Sequence, residues 1–424
     1  MKFVLACYGT RGDIEPSAAV GHELVRRGHE VRIAVPPEQV GFAESTGLTA
    51  LPYGPEVREF HDEEFLRNMW RDFFRNPVKA VLGGWEPIIR YWNDVGTALL
   101  SLARDADLLS TALNFEQAAA NVAEHYDIPL AALHHFPMRA NGQLVPALPA
   151  PLLRSGMAAL EWLFWRSTRK VEDAQRSQLG LPKATRRSER RNAERALLEI
   201  QAYDSMLFTG LAAEWAEFSH LRPFVGALTM EMTTKADEDV AAWIAAGPPP
   251  ICFATGSIPV ESPAATVEMI SIACAELSER GLICFGGTDF TDLSHPSHLK
   301  VIGAANYAAI FPSCRAVVHH GGSGTTAAGL RAGIPALILW SSADQPYWGA
   351  QVKRLKVGTA RRFSAANSDS LVRDLRRILA PSYAVRARKL AARMTTPTES
   401  IMKTADLFED MVRRKASGVP GSPR

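Results

Sequence analysis

The chain has 424 residues, an apolar content of 47% and a formal net charge of +2. That length suits two cores rather than one, the composition excludes a disordered chain, and the small net charge gives no electrostatic case for nucleic acid. No stretch approaches the ~20 apolar residues of a membrane span. The opening MKFVLACYG breaks at a glycine too early for a secretory signal. The cysteines Cys7, Cys252, Cys274, Cys284 and Cys314 show no CxxC spacing, so reduced thiols in a cytosolic protein are expected.

In chain order, a strand over Phe3–Cys7 leads into the loop YGTRGDIEP. A helix follows, with Pro16 suited to its first turn and Gly28 to its stop, then a strand over Val31–Val35. The alternation repeats as a strand over Asp107–Thr111, a helix over Phe115–Tyr126 and a strand over Pro129–Phe136. Strands that are apolar throughout imply a parallel sheet covered on both faces. The pattern loosens over 222–235 and restarts with a strand over Ile251–Thr255, the loop GSIP and a helix over Ala264–Arg280. LICFGG, LKVIG, AVVHH (ending at His320) and PALILW come next. The expected organisation is an N-terminal domain over 1–221, a linker over 222–235 and a C-terminal domain over 236–395. A final helix over 396–415 crosses back onto the first domain, and a disordered tail fills 416–424. Two doubly wound α/β domains in tandem make a cleft between them the natural ligand site.

The stretch HHGGSGTTAAGLRAGIPALILWSSADQ, from His319 to Gln345, carries the chemistry. Gly321, Gly322 and Gly324 let backbone approach a ligand closely. Thr325 is placed to cap the following helix, which ends at Gly333. A glycine turn feeding a helix N-terminus holds phosphate through free N–H groups and the positive dipole end. The P-loop lysine is missing. GSGTTA also loosely matches a dinucleotide fingerprint, and an isolated GGSG is often only a packing turn. Asp344 and Gln345, one helix and one strand later, fall on the same sheet edge as His320, where a carboxylate and an amide bind sugar hydroxyls.

HHGGSGTTAAGLRAGIPALILWSSADQPYWGAQV resembles the donor-binding signature of family 1 glycosyltransferases with the GT-B fold. MKFVLACYGTRGDIEPSAAVGHELVRRGHEVRIAVPP resembles their bacterial and sterol branch and, within it, the actinobacterial enzymes that act on glycopeptidolipids and related lipids, followed by the antibiotic-aglycone glycosyltransferases. The resemblance implies two Rossmann-like domains facing across a cleft. It implies that His320, Gly322, Ser323, Gly324, Thr325 and Ser257 contact the donor diphosphate, that Asp344 and Gln345 hold the sugar, and that Ile302 and Ala305 flank the pyrimidine. It further implies a TDP- or UDP-sugar donor, a hydrophobic acceptor bearing a hydroxyl, such as a glycopeptidolipid or other glycolipid, with a polyketide or peptide aglycone or a sterol as the alternative, and no cofactor.

Asp13, in the loop after the first strand, is the expected general base; its other reading is a helix cap. Gly9 and Gly12 keep that loop slim. Arg11 and Gly12 would meet the donor diphosphate; the other readings of Arg11 are that it orients Asp13 or is a surface charge. Displacement from one face would invert the anomeric centre. DxD spacings at Asp105–Asp107 and Asp237–Asp239 follow no strand of the donor sheet, so metal independence is expected. Of His134 and His135, one is read as core and the other as an acceptor contact. Trp162, Phe164 and Trp165 beside Arg166, Arg169 and Lys170 read either as a peripheral contact with an acidic membrane surface or as a core helix with a solvated basic face. The rivals to a transferase are a non-catalytic partner of the same fold and an epimerase or hydrolase acting on the nucleotide-sugar.

Overall fold

The computed structural model describes residues 1–60, 71, 75–195, 197–232, 237–255, 262–286, 293–303 and 305–417. Two compact units divide the chain, one formed by Met1–Leu228 with Thr395–Arg424, the other by Thr229–Met394.

The first unit opens with β1 (Lys2–Ala6), α1 (Arg11–Arg26), β2 (Glu30–Val35) and β3 (Thr49–Pro52). Then come α2 (Pro77–Leu102), β4 (Leu108–Thr111), α3 (Glu116–Tyr126), β5 (Leu130–His134), α4 (Ala150–Gln178) and β6 (Leu198–Gln201). All pairings are parallel, in the order β3-β2-β1-β4-β5-β6. β1, β4 and β5 are buried almost residue for residue, which is why their sequences carry no alternation. Over the sheet, Tyr8, Tyr53, Phe60 and Phe115 pack ring against ring. The buried Trp92 of α2 donates its indole N–H to Gln175 of α4 at 3.0 Å.

The second unit repeats the plan with β7 (Ile251–Ala254), α5 (Pro263–Glu276), β8 (Gly281–Cys284), β9 (Leu299–Ile302), β10 (Ala316–His319), α6 (Ser323–Arg331), β11 (Ala336–Trp340), α7 (Gln345–Arg354) and β12 (Gly358–Arg362). Its order, β12-β11-β10-β7-β8-β9, is the same 3-2-1-4-5-6 arrangement counted from β7. In such sheets the order reverses between the first and fourth strands, and ligands bind beyond the carboxyl ends there. Those points are β1/β4 in the first unit and β7/β10 in the second.

A last helix, Pro397–Ala416, belongs to the first unit. Thr396 and Glu399 form its capping box. Phe408 stacks on Phe3 with ring centroids 6.4 Å apart, and Glu409 reaches His29 Nε2 at 2.7 Å. All five cysteines are buried and free.

Candidate functional site

In the first unit the chain leaves β1 at Ala6 and turns through Gly9 and Thr10 into α1. Gly9 has φ +149°, and a β-carbon there would fall 2.3 Å from Asp13 Oδ2. Glycine is what lets the carboxylate fold back over the turn. Asp13 Oδ2 accepts from the Thr10 amide at 2.7 Å and from Thr10 Oγ1 at 3.1 Å. The helix therefore begins at Arg11, five residues before the proline expected in its first turn. The Thr10–Asp13 cap fixes the start, and Pro16 forgoes only the bond to the Gly12 carbonyl. Capping occupies Oδ2; Oδ1 has no hydrogen bond among the described residues. Burial pushes the Asp13 carboxyl above the usual carboxylate range, against the pull of the Thr10 hydrogen bonds. A raised pKa makes a stronger base.

Arg11 is exposed, its guanidinium 4.7 Å from the centre of the Phe42 ring and 3.8 Å from Glu15. Gly12 is exposed beside it. Of the two histidines at the end of β5, His134 is the core member. It is 0% exposed, with Nε2 3.0 Å from Glu116. Glu116 also pairs with Arg139, which bonds Glu199 at 2.6 Å. Burial would raise Glu116, but Arg139 and His134 together hold it low. His134 is thus committed to a buried ion network and leaves the acceptor set. His135 is 8% exposed and its Nε2 has no hydrogen-bond partner among the described residues.

In the second unit β10 ends at His319, one residue earlier than the sequence suggested. His319 Nδ1 accepts from the Gly321 amide at 3.1 Å, pinning the turn, and Gly321 adopts φ +100°. The His320 ring lies against Gly322, where a β-carbon would stand 2.5 Å from Nε2. Burial lowers His319 to about 3 and His320 to about 4, the Ala254 backbone opposing the shift at His320. Both imidazoles are neutral near pH 7, so His320 offers a hydrogen bond rather than a fixed charge. The positive end of α6 supplies the electrostatics. Gly322 is its N-cap, and Ser323, Gly324 and Thr325 form the first turn, whose amides have no intrahelical acceptor. Thr325 is therefore the third helical residue, not the cap expected of it.

The loop after β11 closes on Gln345, 5% exposed. Its Oε1 accepts from the amides of Ser341 at 2.8 Å and Ser342 at 3.2 Å. Asp344 Oδ2 accepts from the indole of Trp348, one turn further on, at 2.8 Å. A β-carbon on Gly321 would come within 3.2 Å of Gln345 Cβ, so the two loops touch. His320, the α6 first turn, Asp344 and Gln345 thus share one edge of this sheet. Ile302 ends β9, and it and Ala305 are partly buried against the cluster around Cys252 and Val317. Ser257 lies outside the described residues. Asp105 pairs with Lys2 at 3.0 Å and Asp107 accepts from the Lys2 amide at 2.7 Å. Asp239 pairs with Lys300 at 2.6 Å and Asp237 accepts from the Asn306 amide at 3.2 Å.

His319 and Trp348 brace the Gly321 turn and Asp344, and sequence reasoning missed both. Only the spacing of Asp344 and Trp348, the N-cap and a residue one turn into α7, could have signalled the second.

Residues 3–104 match the glycosyltransferase family 28 N-terminal domain, and residues 275–407 match the C-terminal domain of erythromycin biosynthesis protein CIII-like proteins. An uncharacterized glycosyltransferase of Mycobacterium tuberculosis is 57% identical over 98% of this chain and 100% of its own length. The chain is a glycosyltransferase. The kitacinnamycin glycosyltransferase superposes with a TM-score of 0.73 at 18% identity, covering 97% of this chain and 99% of its own. The Streptomyces glycosyltransferase SsfS6, solved with thymidine diphosphate, does so with a TM-score of 0.60 at 19% identity, covering 96% and 99%. The fold of this glycosyltransferase is accordingly GT-B.

Proposed function

We propose that this glycosyltransferase moves a hexose or 6-deoxyhexose from a TDP- or UDP-sugar, with inversion, to a hydroxyl of a hydrophobic acceptor. A glycopeptidolipid or other glycolipid is the class we favour; a polyketide or peptide aglycone or a sterol is the alternative. The observation that carries the reading is the single sheet edge bearing His320, the open α6 first turn and the Asp344–Gln345 pair. The thymidine diphosphate held by SsfS6 supports a pyrimidine donor.

In this reading the acceptor oxygen attacks the anomeric carbon while Asp13 Oδ1 takes its proton. The bond from that carbon to the diphosphate oxygen breaks. The amides of Ser323, Gly324 and Thr325 and the imidazole of His320 receive the leaving charge. Gln345, its oxygen held by the loop, presents its amide nitrogen to a sugar oxygen, and Asp344 accepts a sugar hydroxyl. This reading gives a metal no role, and the carboxylates of both DxD pairs, which serve lysines and backbone amides, support it.

A panel of nucleotide-sugars tested for thermal stabilisation identifies the donor, because a ligand bound only by the native state raises its melting point. Asp13→Asn should lower turnover about 10²–10⁴-fold with donor stabilisation retained, and full activity would remove Asp13 as the base. Chelation should leave the rate unchanged; loss on chelation with rescue by a divalent cation would overturn the metal-free assignment.

A further inference from the structure

One face of α4 is left uncovered by the fold. Its inner face is buried through Thr168, Glu172, Gln175 and Arg176, and Gln175 also receives a 2.8 Å bond from Asn121. On the other side Leu152 is 64% exposed, Leu160 41% and Trp162 51%. Leu148, just ahead of the helix, is 46% exposed. Leu82 of α2 is 41% exposed, and α2 packs on α4 through Trp85 against Phe164, ring centroids 5.0 Å apart. Among the described residues, these are five of the eleven large apolar side chains left exposed. Singly scattered apolar residues need no explanation; a concentration on one helix and its neighbour does.

The same face changes character along its length. Leu152, Ala159, Arg166 and Lys170 recur at helical spacing, so apolar turns give way to cationic ones. Arg166 and Lys170 are exposed, with no acidic partner among the described residues. Arg169, by contrast, pairs with Asp173 at 3.7 Å and lies over Trp165. Apolar and aromatic side chains continuous with uncompensated cations fit the headgroup boundary of an anionic bilayer. A protein interface core would be depleted of such charges.

We propose that the outer face of α4 seats this glycosyltransferase on a bilayer surface containing anionic lipid. Leu152, Leu160 and Trp162 enter the headgroup boundary, and Arg166 and Lys170 meet the lipid phosphates. This goes beyond the sugar-transfer reading and does not depend on it. The test is flotation of the full chain with vesicles of phosphatidylcholine alone and of phosphatidylcholine with phosphatidylglycerol. The chain should float with the anionic vesicles and be released by salt. Arg166→Gln and Lys170→Gln should each weaken binding about fivefold. Leu152→Ser with Trp162→Ser should weaken it further, at an unchanged melting temperature. Equal binding to both vesicle types, or wild-type binding by these variants, overturns the proposal. So does a wild-type dimer that the Leu152/Trp162 variant converts to monomer, since the face would then join two copies of the chain. Donor stabilisation, measured without vesicles, is untouched by any of these results.

Discussion

Gly9 leaves no room for a side chain, because a β-carbon would stand 2.3 Å from the carboxylate oxygen of Asp13 that Thr10 holds. Gly9→Ala should therefore displace Asp13 and cost about 10²-fold in turnover, the scale of an ångström-sized misplacement. Nucleotide diphosphate release measures it, and wild-type turnover would show that the carboxylate tolerates the shift. Trp348 makes a comparable case in the second unit. Its indole donates to Asp344 at 2.8 Å from a side chain 2% exposed, and a hydrogen bond to a charged group contributes about 1.5–3 kcal/mol net. Trp348→Phe keeps the packing and removes the bond, so the donor KM should rise about tenfold or more at near-constant melting temperature. An unchanged KM would leave Asp344 without need of its indole. At this scale the sequence was legible where backbone dictates residue type, as at the Gly321–Gly322 turn. It was silent where a long side chain reaches a partner: nothing in HHGG says that the first histidine braces the turn while the second lies against Gly322.

Strands were the legible elements. Continuous apolar runs such as FVLAC and AVVHH have one comfortable place, the middle of a covered parallel sheet, and β1 and β10 lie there to within a residue of expectation. Helix starts were less so, because capping chemistry and turn chemistry use the same residues. Pro16 suggested a start that the Thr10–Asp13 cap had already made, and Thr325 suggested one that Gly322 makes. The cap reading of Asp13 holds at Oδ2, which accepts from Thr10, and the proposed base role falls to Oδ1. The C-terminal helix carries a stability prediction. Phe408 is 0% exposed and stacks on Phe3, so Phe408→Ala should destabilise the first unit by about 3–5 kcal/mol. Denaturant unfolding measures it, and a change under ~0.5 kcal/mol, the range of surface substitutions, would mean the helix is only loosely docked.

For the molecule as a whole, three histidines with depressed pKa values set an acid limit. Burial lowers His135 and His320 to about 4 and His319 to about 3, against about 6.5 in an unfolded chain. Below that value the unfolded chain binds protons that the folded chain refuses. The contribution is therefore complete above about pH 6.5 and is lost progressively as the pH falls toward 4. Melting temperature should decline between pH 7 and 5, and His135→Gln should flatten the decline; a level profile would contradict the burial. The tandem plan was legible because the βα alternation restarts after the loosened segment, and both sheets follow one strand order. The region between β5 and β6 was not, since its long helix is held by side-chain bonds such as Arg176 to Asn121 that periodicity does not reveal.

The second unit, Thr229–Met394, is inserted between the body of the first and its closing helix. A ribosome adding about 5–20 residues per second thus delivers every strand of the first unit well before the segment that covers Phe3 and His29. For roughly 8 to 33 seconds the nascent protein carries an open seam, and most of the later unit is made before the earlier one is sealed.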